Sequence, residues 1–385
     1  MNNIRSKNIA IVGGGPGGLT LARLLQMNGV NVKVYERDAD KDARPKGATL
    51  DLHDESGLAA IRAAGLWDAF MLNYRPGADR LRIVDKHTKI WHEDNVERND
   101  EFWRPEIDRG PLQSILLDSL LPGTVVWGRQ FATLAPNGDG WTVTFKNGIT
   151  ETADIVIAAD GANSKLRPYL TDVKPFFAEV TAIEASVHNS AVNVPNMHKL
   201  LNGGKIFALD DGKSLIVSSK GDGSLVYYPG FRSAENWVQE SGIDFSDKAQ
   251  VLAWFKQEYA GWDNAWDELF ENTSGNFIPR PQYCMPLDQT WEAKPNLTML
   301  GDAAHLMPPY AGEGVNMAML DALELSRHLF SDNHPDTLSA IAAYEIEMRK
   351  RASETAGFTL QNTEALHAEG ALQFMVSMME GGEQD

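Results

Sequence analysis

Cysteine is almost missing from this chain: Cys284 stands alone among 385 residues. One thiol closes no internal disulfide and supplies neither a C-x-x-C redox pair nor a thiolate zinc cluster, which predicts a cytoplasmic setting. Long apolar runs are missing too. None reaches the eighteen or so residues of a membrane span, and the first strand begins too early to leave room for a signal peptide. Basic residues are in deficit, 35 Lys and Arg against 53 Asp and Glu, for a formal charge of −18. Such a surface repels phosphate backbones and anionic membranes, so neither nucleic acid nor membrane is expected as a partner. The nine histidines show no H-E-x-x-H or comparable spacing, and no metal site is expected. Internal repeats and low-complexity tracts are absent.

What is present starts at once. Asn8-Ile-Ala-Ile-Val-Gly-Gly-Gly-Pro-Gly-Gly18 is an apolar β-branched run that breaks into glycines. Leu19, Ala22, Leu24 and Leu25 then recur at helical spacing until Gly29. This is strand, tight loop, helix. Gly13, Gly15 and Gly18 fit G-x-G-x-x-G: one glycine for the turn, one for close approach of a pyrophosphate, one for packing helix on strand. The helix start offers free N–H groups to that pyrophosphate. A second strand, Val30 to Tyr35, ends in Glu36, where a ribose-binding carboxylate belongs.

The rest of the chain suits about two domains. A polar loop, 37–46, carries Arg37 and Arg44, and a helix is predicted near Ser56–Ala64. Arg80–Val84 and Thr88–Trp91 alternate as short strands, which predicts an excursion into a separate sheet. The chain returns at Pro105–Arg109, with a helix over Pro111–Leu121 and strands near Val125–Trp127 and Trp141–Phe145. The buried strand Asp154–Ala159 runs into Asp160-Gly161, read as an acidic helix start. Residues 177–229 are strand-like and turn-rich and predict an antiparallel sheet, followed by helices near Lys248–Tyr259 and Trp262–Phe270. Strand Leu297–Leu300 leads into Gly301-Asp302 and a second glycine-bearing helix entry, Gly312 to Asn316, with a long helix to Phe330. Leu338 to Met379 is mostly helical.

Three motifs thus stand in order: Gly13-x-Gly15-x-x-Gly18 with Glu36, Asp160-Gly161 with Ser164 and Arg167, and Gly301-Asp302 through Asn316. Over nearly the whole chain this resembles the single-component FAD-dependent aromatic hydroxylases. The wording Gly47-Ala-Thr-Leu-Asp-Leu-His53, Pro105-Glu-Ile107 and Gly301-Asp-Ala-Ala-His-Leu-Met-Pro-Pro309 is similar to the tetracycline-inactivating flavin monooxygenases. The resemblance implies an α/β fold: a Rossmann-like FAD-binding domain made of 1–75, 105–175 and 285–330. It further implies an antiparallel β-sheet substrate domain of 76–104 and 176–284, with a C-terminal helix over 331–385 bracing both. It implies FAD as cofactor and NADPH as a transient reductant, with O2 activated through a flavin C4a-hydroperoxide to hydroxylate a polycyclic, aromatic or enolic molecule.

Position by position, Glu36 would hold the adenosine ribose, Asp51 and Arg109 would contact FAD, and Asp302 would accept from the ribityl hydroxyls. Arg37 joins the cofactor contacts, and Arg44 matches an arginine implicated in NADPH contact. Asp160 and Gly161 would serve both nucleotides. Pro309, Gly312, Gly314, Val315 and Asn316 would lie beside the isoalloxazine ring. Glu184, Lys205, Phe207, Val226, Pro309 and Tyr310 are the candidate substrate contacts. Glu184, Lys205 and Val226 stand where the tetracycline-inactivating enzymes use Gln, Arg and His, which changes charge and hydrogen bonding there. No side chain is required as nucleophile, since the flavin carries the chemistry, and His305 is read as a packed motif residue. A monomer is expected. A flavin-dependent dehydrogenase or oxidase, or a flavin-binding protein without turnover, are the alternative readings.

Overall fold

A computed structural model describes residues 4–43, 49–94 and 104–381. Strand Asn8–Val12 lies in the middle of a five-stranded parallel sheet. The spatial order is Leu297–Met299, Ile155–Ala158, Asn8–Val12, Asn31–Tyr35 and Val125–Val126. A sheet covered on both faces needs continuous apolar strands rather than alternating ones. Ile155–Ala158 is accordingly buried throughout, as are four of the five residues of Asn8–Val12. Helix Pro16–Met27 follows the first strand and packs closely on helix Gly314–Phe330. A side chain at Gly17 would meet the Ala318 carbonyl at 2.7 Å. A three-stranded antiparallel sheet, 131–153, joins this core through contacts such as Tyr35 on Phe145, with ring centroids 4.9 Å apart.

The second sheet has seven strands, ordered Ile278–Cys284, Phe176–Val187, Leu225–Arg232, Lys213–Ser219, Lys205–Asp210, Leu81–Val84 and Ile90–Glu93. It is mixed rather than wholly antiparallel, because Lys205–Asp210 and Leu81–Val84 run parallel. The early pair of strands forms one edge of this sheet, apart from the parallel one, as the excursion predicted. Alternation divides its two faces. Ile183, Ala185, Ile206, Ala208, Leu215, Val217, Leu225 and Tyr227 bury themselves against helix Lys248–Glu258 and the tryptophans 262 and 266. The intervening residues face the parallel sheet's half of the molecule.

Two further predicted features differ in detail. No α-helix follows Asp160; the segment turns, and its only helical piece is a short 3-10 turn at Arg167–Tyr169. Asp160 itself supports that turn by accepting from the Lys165 N–H at 2.7 Å, the local side-chain bond that competes with helix formation. The C-terminal helix is two helices, Thr337–Leu366 and Ala371–Gly381, parted at Gly370 with φ +85°. The longer one starts on an Asp336–Ser339 capping box. It is fastened to the parallel sheet by Tyr344 O–H to the Met299 carbonyl (3.0 Å) and by buried Glu345, which accepts from Trp291 Nε1 and Thr298 Oγ1. The shorter one lays Leu372 and Met375 on Ile83 and Leu209 of the second sheet. Phe374 and Met378 of the same helix stay exposed.

Candidate active site

Every cofactor motif emerges from the carboxyl end of a neighbouring strand of the parallel sheet, the place where a doubly wound sheet binds ligands. Gly13 turns the chain with φ +114° and leaves no room for a side chain, since a Cβ would lie 2.1 Å from the Ala159 carbonyl. Gly18 is equally confined, by the Gly13 carbonyl at 2.2 Å. Gly15 is different. Nothing lies within 4 Å of its Cβ position, so the backbone there fronts open space. Helix Pro16–Met27 begins at Gly15 with no side chain capping its first N–H groups. Buried Glu36 accepts from the Gly14 N–H at 2.7 Å and from Asp38 N–H at 3.1 Å, closing the loop onto the second strand. Arg37 is exposed beside it. Arg44 lies outside the described residues.

Two strands away, Asp302 follows Gly301, whose φ is +59°. Its carboxylate makes no hydrogen bond or ion pair with any described residue. Burial pushes its pKa above the usual carboxylate range, against the opposing charges of His305, Arg109 and Arg167. The segment is held from behind instead. Buried Arg167 donates to the carbonyls of Asp302 (2.9 Å), Ala303 (2.7 Å) and Ala162 (3.1 Å), which ties the Asp160–Gly161 turn to Asp302. Asp160 keeps a buried oxygen, Oδ1, without a partner, and Gly161 has open space at its Cβ position. His305 is packed, as read: its Nε2 lies 2.6 Å from Asp321, whose carboxylate also takes the Gly301 N–H and Arg351.

Helix Gly314–Phe330 also starts without a side-chain cap, so N–H groups of Gly314, Val315 and Asn316 are free of side-chain partners. Buried Asn316 sews this start to strand Thr49–Asp51: its Oδ1 accepts from His53 N–H (2.9 Å) and its Nδ2 donates to the Asp51 carbonyl (2.9 Å). Gly312, with φ +71°, lets the Asp51 carboxylate approach to 2.9 Å of its Cβ position. His53, Glu313 and Arg104 complete a charged cluster that sequence reasoning missed. His53 Nε2 is 3.2 Å from Asp51 and its Nδ1 3.4 Å from Glu313. Burial would lower its pKa, but the two carboxylates prevail and hold it up at about 9. Nε2 also sits 3.0 Å from Arg104 Nε, yet one ring nitrogen cannot both donate to Asp51 and accept from Arg104. With carboxylates on both nitrogens the imidazolium is favoured, and Arg104 bonds Asp51 directly at 2.9 Å. Asp51 ends below the usual carboxylate range: burial opposes, while the His53 bond and the Lys205 and Arg104 charges prevail. The only signal for His53 was its place two residues past Asp51, just beyond the end of strand Thr49–Asp51.

The second sheet supplies the opposite wall. Phe207, Ile216 and Tyr228 pair across adjacent strands, and Glu184 falls in the same row between the pairs Ala182 with Gly230 and Ser186 with Val226. Tyr228, absent from the sequence candidates, is pushed up by burial and by Glu184, against Arg109 and Arg280. Arg109, exposed, makes no hydrogen bond or ion pair among the described residues, and its charge reaches both Tyr228 and Asp302. The remaining substrate candidates scatter. Glu184 is paired with Arg280 at 3.0 Å, and Val226 is buried in the neighbouring row. Pro309 is exposed, whereas Tyr310 turns its ring against His367. Lys205 gives its ammonium to Glu106, a nearly fully buried carboxyl that burial pushes up to about 7 despite that ion pair. Arg75 bonds Asp108 (3.1 Å) and the Ser219 carbonyl (2.9 Å) close by.

The residues present fit a dinucleotide with a sugar-like chain: open backbone at Gly15 and Gly161, carboxylates at Glu36 and Asp302, and two uncapped helix starts. Comparison with known proteins agrees. The family model described as "FAD binding domain" matches residues 6–239 and 289–359. A monooxygenase of Penicillium thymicola is 26% identical over 92% of this chain and 94% of its own length. The 6-hydroxynicotinate 3-monooxygenase of Pseudomonas fluorescens is 25% identical over 93% of this chain and 92% of its own length. Among solved structures, tetracycline destructase Tet(55) superposes with a TM-score of 0.76 at 20% identity, covering 99% of this chain and 96% of that one, a likeness of fold.

Proposed function

Because the chain belongs to the family defined by that FAD binding domain, and is an FAD-dependent monooxygenase, we propose that it uses NADPH to hydroxylate a polycyclic or aromatic, enol-bearing small molecule. When bound, FAD supplies the electron transfer and the activation of O2. The observation that carries the reading is the cradle without protein partners. Asp160 keeps a buried oxygen unpartnered, and Asp302 has no side-chain partner among the described residues, at the ends of neighbouring strands where backbone at Gly15 and Gly161 is also open.

In this reading Glu36 takes the adenosine ribose, the N–H groups of Gly15 and Gly17 face the pyrophosphate, and Asp302 accepts from the ribityl hydroxyls. Arg109 and Asp51 add polar contacts, and Asp160 with Gly161 serves both nucleotides. The N–H groups of Gly314, Val315 and Asn316 place partial positive charge where the ring system gains electrons. Pro309 and Gly312 border the ring, and Arg37 and Arg44 are the basic groups of the preceding loop. On the other wall Phe207, Tyr228 and Glu184 orient the substrate and exclude water. Lys205 and Val226 stand on the same face in the neighbouring row, the Lys205 ammonium turned onto Glu106. The chain is read as FAD-binding segments 1–75, 105–175 and 285–330, a substrate domain of 76–104 and 176–284, and a C-terminal brace, 331–385. A monomeric, cytoplasmic enzyme fits its one buried cysteine, and among the described residues no helix is long and apolar enough to cross a membrane.

Tetracyclines enter as one candidate class on the shared fold, beside hydroxylated heteroaromatics. The deciding experiment follows NADPH and O2 consumption by FAD-loaded protein across a panel of both. Product carrying one atom from labelled O2 is expected. Flavin reduced by substrate without NADPH would instead establish the dehydrogenase reading.

A further inference from the structure

The loop from Met307 to Glu313 carries the backbone assigned to the flavin ring, and at its centre the Tyr310 ring packs on the second sheet and on His367. Its hydroxyl meets two polar groups from distant parts of the chain. Around the Cβ position of Gly230 stand Ser214 Oγ at 2.5 Å, His367 Nε2 at 2.9 Å and Tyr310 Oη at 3.0 Å. A side chain at residue 230 would occupy the space in which these three atoms converge. Ser214 Oγ lies 3.1 Å from His367 Nε2, and the Tyr310 hydroxyl stands beside them at the same point against Gly230.

The direction of each bond follows from donors and acceptors. His367 Nδ1 is 2.7 Å from the Thr363 carbonyl, which only accepts, so Nδ1 carries the proton. Among the described residues no carboxylate bonds the ring, and Arg232 lies close, donating to the His367 carbonyl at 3.0 Å. Burial and that cation keep His367 neutral, so Nε2 is an acceptor. Ser214 O–H therefore donates to His367, which leaves the Ser214 oxygen free to accept from the Tyr310 hydroxyl beside it.

We propose that Ser214 and His367 are positioning residues for the flavin, acting through Tyr310. This one-way chain of hydrogen bonds fixes the Pro309–Glu313 backbone to the second sheet and to the end of helix Thr337–Leu366. It rests on the FAD reading above. Breaking the chain frees the loop, and the helix start beyond it no longer sits squarely against the ring.

The test uses FAD-loaded protein equilibrated with a reference dye of known potential, reading the ratio of oxidised to reduced FAD. Tyr310→Phe and Ser214→Ala, which each remove one hydroxyl, and His367→Leu should shift that ratio toward oxidised FAD by about fivefold, the factor that loss of one ordinary hydrogen bond gives. His367→Gln, whose side-chain oxygen can accept from Ser214, should return the ratio to within about twofold of the parent. Ratios equal to the parent in Tyr310→Phe and Ser214→Ala overturn the proposal. So does His367→Gln shifting as far as His367→Leu. Where His367→Leu does not fold, the two hydroxyl deletions decide. A parent protein that takes up no FAD defeats the cofactor reading instead, which separates the two failures.

Discussion

The two walls of the cleft are made of different material. The parallel sheet builds its wall from backbone: glycines that permit close approach, helix starts left uncapped, and only a few carboxylates such as Glu36 and Asp302. The second sheet builds its wall from side chains standing on alternate positions of four strands. A backbone wall fixes one ligand shape and tolerates little change. A side-chain wall can be rewritten residue by residue without disturbing the sheet beneath it, which is how one fold comes to serve many substrates.

The sharpest way to break this comparison lies in the glycine loop. Gly13→Ala, at φ +114° and 2.1 Å from a carbonyl, should cost more than about 3 kcal/mol of stability and abolish FAD retention, read by thermal melts and bound-flavin content. Gly15→Ala, in open space, should fold normally and lose FAD alone. Equal melting losses for both would show that the loop is not shaped for a ligand. Next in size, Asp302→Ala should weaken FAD binding by about ten- to a hundredfold, worth ~1.5–3 kcal/mol, while apo-protein melts as before, because its carboxylate has no partner in the fold. FAD titration against apo-protein melting checks it.

The seam between the walls gives a pH signature. Glu106 titrates near 7 in the fold and near 4.5 when unfolded. A raised folded pKa contributes stability that is fully present below 4.5 and lost as pH rises through 7. Denaturant unfolding should therefore show about 2 kcal/mol lost between those pH values, discounted for the coupled Lys205, and Glu106→Gln should flatten that slope. A slope unchanged in Glu106→Gln would assign it elsewhere. The smallest effect belongs to the side-chain wall. Glu184→Ala opens a half-exposed ion pair with Arg280, so stability should change by less than about 1 kcal/mol. Its consequence should appear as a raised KM with FAD content unchanged.

This difference in material also decides what the sequence made legible. The glycine motif, Glu36 and Asp302 are fixed by spacing along the chain, and the structure puts them at neighbouring strand ends. Lys205 carried the right charge and a cleft-facing position, yet whether its ammonium meets substrate or Glu106 depends on a contact between residues about a hundred positions apart. Tyr228 was hidden for the same reason: only register shows that it shares a row with Phe207 and Glu184. Asp160 misled because an acid and a glycine after a buried strand suit a helix start, while its side chain here stabilises a turn. His53 was invisible because its charge comes from Glu313 and Asp51, which the fold alone brings together.

The order of strands in the parallel sheet has a consequence in time. Ile155–Ala158 pairs with Asn8–Val12 on one side and with Leu297–Met299 on the other, so the edge that carries Asp302 is made roughly three hundred residues after the glycine loop. At synthesis rates of about 5–20 residues per second the nascent chain holds half a cradle for roughly 15–60 s. For about the second half of that interval Ile155–Ala158 presents an unpaired apolar edge, and throughout it helix Pro16–Met27 lacks the Gly314–Phe330 helix that covers Gly17. Chaperone dependence during translation, rather than slow folding of the finished chain, is where this topology should make itself felt.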